Sequence, residues 1–169
     1  MIAKKILIIF LFLFLFFSFL RVDVFAKVDN FQEIPREQIN PDARSKYLVK
    51  RFKEKVTLFF KFDLNSKLDY YQVLLDKRLA ELAHIADNKN VAYIETTSSR
   101  YESTAGQLTQ ILIDNKSKEK FLEVKQKFTG HLLVLAKIQD NFLSSTAEWR
   151  FIENDINSLK IYFRQIADF

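Results

Sequence analysis

KYLVKRFKEKVTLFFKFD, residues 46–63, admits two readings, and the choice between them sets the fold class. Val56, Leu58, Phe60 and Phe62 alternate as a half-buried strand would. Leu48, Phe52, Val56, Phe59 and Phe60 recur at spacings of three and four, which places them on one face of a helix. The helical period begins well before the alternating run, and no hairpin turn follows that run, so the spacing predicts a helix. On that helix Lys46, Lys50, Lys53 and Lys61 fall opposite the apolar face, with Arg51 and Lys55 at its edges. Asn40-Pro41 offers an N-cap and a first-turn proline for its start.

Outward from this stretch the helical period continues. Asp63 is placed to cap a second helix with the stripe Leu64, Leu68, Tyr71, Leu75, Leu79, Leu82 and Ala86, ended by the polar run Asp87–Asn90. A third helix carries Ile94, Ser98, Tyr101, Ala105, Leu108 and Leu112, close to a heptad seam. Its many Ser and Thr residues, and Gly106, lower its intrinsic propensity. Beyond Asp114–Ser117 a fourth helix shows Phe121, Val124, Phe128, Leu132, Leu135, Ile138 and Phe142. Ser145-x-x-Glu148 reads as a capping box that opens a fifth, striped by Trp149, Ile152, Ile156, Leu159, Phe163 and Ile166. The expectation is an all-α domain over residues 41–169: about five helices, a long antiparallel helical hairpin extended into a bundle. Two Gly and two Pro in 169 residues agree with it, because sandwiches and barrels need many tight turns.

The N-terminus is of another kind. Lys4 and Lys5 precede the apolar run Ile6–Leu20, and Val24-Phe25-Ala26 resembles a cleavage site. As a helix this run is roughly 22 Å long, short of the roughly 30 Å hydrocarbon core. That length favours a signal peptide over residues 1–26, with an uncleaved anchor as the competing reading. Both export everything after residue 26, to the periplasm, the cell surface or the medium. Residues 27–40 lack a sustained period and read as a linker arm.

The net charge of +5 is unevenly placed. Residues 44–62 hold seven basic side chains against Glu54 alone, and residues 63–169 are nearly neutral. Lys46, Lys50, Arg51, Lys53, Lys55 and Lys61 are therefore the candidate contacts for an anionic membrane surface or an acidic envelope polymer. A solvated basic face on a core-packed helix is the plain alternative, and the sequence leaves open whether Phe52, Phe59 and Phe60 face core or lipid. Self-association or a protein partner is the other interaction expected of such helices. Nucleic acid is not expected of an exported chain with one basic helix face.

Catalytic chemistry has little to work with. There is no Cys, and His84 and His131 are the only histidines. Glu81-x-x-His84 matches half of a di-iron helix motif, but Phe128 stands three before His131, so the second pair is missing. No hydrolase, phosphate-loop or zinc-protease motif occurs. A non-enzyme with no cofactor and no metal is expected.

Tyr47-Leu48, Lys50-Arg51, Glu54-Lys55, Leu58–Asp63, Lys67-Leu68 and Lys77–Glu81 together resemble the opening of a bacterial exported helical family known only as a domain of unknown function. Arg100-Tyr101-Glu102 resembles its returning helix, and His131–Ile138 a later one, so the likeness spans roughly residues 41–142. It implies a signal or anchor, a first helix ending in aromatic-Asp-Pro, and a long hairpin. Leu64 departs from that pattern by standing in place of the proline. The family brings no catalytic residues. The sequence expectation is an envelope-associated, non-catalytic interaction or scaffolding module, with a chaperone-like client-binding protein as the alternative.

Overall fold

The computed structural model describes residues 44–116 and 118–167, and the expected signal or anchor, the linker arm and the Asn40-Pro41 helix start lie outside them. Among the described residues there are five α-helices and no strand: α1 Arg44–Phe59, α2 Leu64–Asp87, α3 Ile94–Asn115, α4 Lys118–Gln139 and α5 Ala147–Ala167. The fold is all-α, as the periodicity implies.

Local chemistry sets most boundaries. Asp63 caps α2 by accepting from Ser66 N at 2.9 Å. Between α1 and α2 the chain breaks over Phe60–Asp63, where Leu64 replaces the proline of the resembled pattern. Lys89 and Lys116 take the left-handed conformation, φ 53° and 54°, just beyond α2 and α3, a place where glycine is usual. The cap of α5 is Thr146 rather than Ser145: its hydroxyl accepts from Trp149 N at 3.3 Å. The capping-box reading is thus displaced by one residue.

α2 packs along α3, α3 along α5 and α5 along α4, while α4 closes back on α2. Paired side chains give the directions. Asn115 donates to Asn65 at 2.8 Å, so the long α2–α3 hairpin is antiparallel. Lys120–Asp69 and Lys127–Asp76 run in step, so α4 is parallel to α2. Ser98–Phe151 and Ser158–Glu102 do the same for α5 and α3. Two hairpins therefore stack side by side around a core of Leu68, Leu75, Leu79, Leu82, Tyr101, Leu108, Phe128, Leu135, Ile152 and Leu159.

Every residue of the predicted α3 stripe is buried, despite the low propensity of its Ser and Thr residues. Some of the buried hydroxyls find main-chain acceptors: Thr104 donates to Arg100 O at 2.8 Å and Thr109 to Ala105 O at 2.9 Å, whereas the Thr97 hydroxyl has no partner among the described residues. Ser98 reaches across to Phe151 O at 3.3 Å. Packing on two sides then outweighs propensity. At Gly106 the helices lie so close that an added Cβ would meet Tyr162 Oη at 3.0 Å.

Two buried polar sites interrupt this core. His131 links α3 to α2: Tyr101 Oη lies 3.1 Å from Nδ1, and Nε2 lies 3.0 Å from Asp76 Oδ1, while Asp76 Oδ2 accepts from Lys127 Nζ at 2.6 Å. Those partners select the neutral tautomer, with the tyrosine donating to Nδ1 and Nε2–H donating to Asp76. Burial lowers the pKa of His131, with Asp76 opposing. On α5, Asp155 is buried, and neither carboxylate oxygen has a hydrogen-bond partner among the described residues.

Candidate interaction surface

α1 differs from the other four helices in what holds it. Among the described residues Tyr47 is its one buried hydrophobic, and none of its side chains joins the cluster that forms the core of the bundle. With about 3.6 residues per turn, Tyr47, Lys50, Glu54 and Leu58 share one side, and that side meets α2 and α3. Tyr47 Oη donates to Glu81 at 3.1 Å and Lys50 Nζ to the same carboxylate at 2.6 Å. Arg78 is fully buried and bridges two carboxylates, Glu81 at 2.6 Å and Glu54 of α1. Arg51 adds a contact to Glu54 at 3.3 Å, and Arg100 of α3 donates to Tyr47 Oη at 2.9 Å while stacking on its ring. Tyr70 Oη reaches Glu54 O at 3.5 Å.

The electrostatics follow from this crowding. Burial pushes the Tyr47 phenol up to about 12, with the Glu81 carboxylate adding to the effect. Burial also works against the Arg78 charge, but Glu81 and Glu54 outweigh it and hold its pKa above the ordinary value. Satisfaction is incomplete, since Glu54 Oε1 and Arg78 Nε are buried with no partner among the described residues.

The opposite side of α1 is apolar and faces outward. Leu48 is 62 % exposed, Val49 69 %, Phe52 65 % and Phe59 74 %. Phe60, Phe62 and Leu64 extend the exposed apolar surface through the break before α2. The stripe that the period identifies as a helix face is real, but it is not the face that packs on the bundle. α1 is turned inside out, polar toward the protein and apolar away from it.

The six basic residues singled out in the sequence divide accordingly. Lys46, Lys53 and Lys55 are exposed and flank the apolar arc on its two sides. Arg51 is half-buried against Glu54, and Lys50 is turned inward to Glu81. Lys61 lies past the helix end, with its ammonium 5.5 Å from the centre of the Tyr70 ring. The apolar arc thus has basic borders, rather than standing opposite a separate basic face.

The sequence names Tyr47, Glu54, Arg78, Glu81 and Arg100 inside the segments that resemble the family, and Glu81 also in half of a di-iron motif, without joining them in one site. Two signals point to three of them. Glu81 falls three residues after Arg78, on one face of the second helix, and Glu54 is the single acid among seven bases. Glu81 and His84 do not act together: Glu81 is engaged by the seam, and the half-buried His84 pairs with Asn88.

Comparison with known proteins yields one kind of match. No curated protein and no solved structure is significantly similar to the chain. A family model does match, over residues 39–143, a span that takes in α1 to α4 and leaves α5 outside. That span is more than half of the sequence, and the chain belongs to the family described as Domain of unknown function (DUF5667).

Proposed function

We propose that this protein is an exported, non-catalytic, envelope-associated interaction module that lays the outer face of α1 on an anionic lipid surface. One observation carries the reading: α1 turns Leu48, Val49, Phe52 and Phe59 outward between borders of Lys46 and Lys53 on one side and Lys55 on the other. An amphipathic helix at a membrane interface needs that arrangement, with apolar residues entering the acyl boundary and lysines meeting the headgroups. Near an anionic surface each basic residue contributes about 1 kcal/mol. Basic borders then add to the gain from the apolar area removed from water. The N-terminal apolar run supports the same placement, since as signal or anchor it delivers this helix to the outer side of a membrane.

The client-binding alternative is less well served. The exposed side chains of α1 lie on the outer arc of one helix rather than between two, which suits a flat surface better than an extended segment held in a groove. Self-association of α1 would bring like-charged borders together, and this also favours an anionic partner.

Amide exchange of the full chain in phosphatidylglycerol vesicles and in phosphatidylcholine vesicles tests the reading. Protection of α1 is expected in the anionic vesicles alone, and it should disappear with Lys46→Glu/Lys53→Glu/Lys55→Glu. Equal protection in both lipids, or protection that survives charge reversal, refutes it.

A further inference from the structure

The seam beneath α1 raises a question that the docking reading leaves open: why this helix exposes its phenylalanines when a roll about its own axis would bury them. Apolar burial alone favours the rolled orientation, with Leu48, Phe52 and Phe59 against α2 and the lysines in water. The geometry points to the Arg78–Glu54–Glu81 cluster as the device that fixes the rotation of α1 and so presents its aromatic face. This rests on the reading of that face as the docking surface, and adds the residues that orient it.

The physical reason lies in Arg78. Its guanidinium is fully buried in α2 and is neutralised by one carboxylate from its own helix, Glu81, and one from α1, Glu54. Rolling α1 would withdraw Glu54, the Lys50 contact to Glu81 and the Tyr47 contact to the same group. It would leave buried charges facing phenylalanine rings, and a buried charge deprived of its partner is among the most unfavourable arrangements in a protein. Tyr47 and Arg100 extend the requirement to α3. A buried ionic cluster of this kind need not add stability, but it discriminates between two orientations that apolar packing alone would rank the other way. Glu54, Arg78 and Glu81 are thus positioning residues, acting on the surface through the rotation of α1.

The absence of cysteine from the chain makes a direct test simple, because one introduced thiol reports one face. Phe52→Cys marks the outer side and Leu58→Cys the seam side. The full chain is placed in phosphatidylcholine vesicles, which contain no anionic lipid, and modified with a membrane-impermeant maleimide. With the seam intact, Phe52→Cys is expected to react at least about tenfold faster than Leu58→Cys, following their difference in burial. With Glu54→Leu/Arg78→Met/Glu81→Leu the ratio is expected to collapse or invert while the helical circular dichroism is kept. An unchanged ratio in a folded triple variant overturns the proposal. Should that variant fail to fold, Arg78→Lys carries the test, since a lysine cannot hold both carboxylates in the arginine fork geometry. The Leu58→Cys rate is then expected to rise about threefold or more, and an unchanged rate overturns the proposal. Failure of lipid docking would leave these ratios untouched, so the two readings fail separately.

Discussion

Asp155 and Tyr101 show how single residues tune this bundle. Burial pushes the Asp155 carboxyl up to about 8, with the nearby Ser98 hydroxyl opposing and Glu102 adding. The unfolded chain releases this proton near 3.8. Between those values the folded state holds the extra proton, so Asp155 makes stability fall as pH rises from about 4 to about 8. The melting temperature of Asp155→Asn relative to the native protein should therefore rise steadily from pH 5 to pH 8, by several degrees over that range, read by thermal denaturation at both pH values. His131 acts in the opposite sense: its lowered pKa contributes stability above its ordinary value of 6.5 that is lost as pH falls. The difference between native and Asp155→Asn isolates the carboxyl. Tyr101→Phe leaves His131 Nδ1 without its donor and should cost about 1–3 kcal/mol in urea unfolding at pH 7, where the imidazole is neutral. These sites were hard to read in the sequence because burial of one polar residue depends on neighbours distant in the chain. Asp155 lies in an ordinary amphipathic pattern, and it is the docking of α5 on its neighbours, with Ser98, Tyr101 and Glu102 of α3 close by, that encloses it.

At the scale of helices, the apolar stripes of α2 to α5 were legible because each has a single strongly apolar face and one place to bury it. α3 is the instructive case: its Ser and Thr residues argue weakly for a helix, yet all six residues of its heptad seam are buried, and Thr97, Thr104 and Thr109 beside the seam are buried as well, which the seam does not predict. The cap of α5 lies one residue beyond the one the sequence favours, since Ser145 and Thr146 offer the same cap chemistry and only the geometry assigns the bond to Thr146. Thr146→Ala should cost about 1 kcal/mol in chemical denaturation, whereas Ser145→Ala should change stability by less than about half of that. α1 resisted the same method for a physical reason. Periodicity identifies two faces but not which one turns inward, and here the answer depends on Arg78 and Glu81, more than twenty residues further along the chain.

For the molecule as a whole, the two stacked hairpins form a support on which α1 is mounted by charge rather than by apolar burial. The division of labour follows: the bundle supplies stability, and α1 supplies a surface that water alone does not favour. That makes α1 the part whose surroundings matter most, its contact with lipid above all. Fluorescence of Phe52→Trp in the full chain, measured in vesicles containing brominated anionic phospholipid, tests it most directly, with native Trp149 giving the baseline signal from the bundle. The expected result is strong quenching of the added tryptophan at low salt, weakened at high salt and absent in phosphatidylcholine carrying the same bromine label. An added tryptophan quenched no more than Trp149, or quenched equally in both lipids, would rule out docking of α1 on anionic lipid.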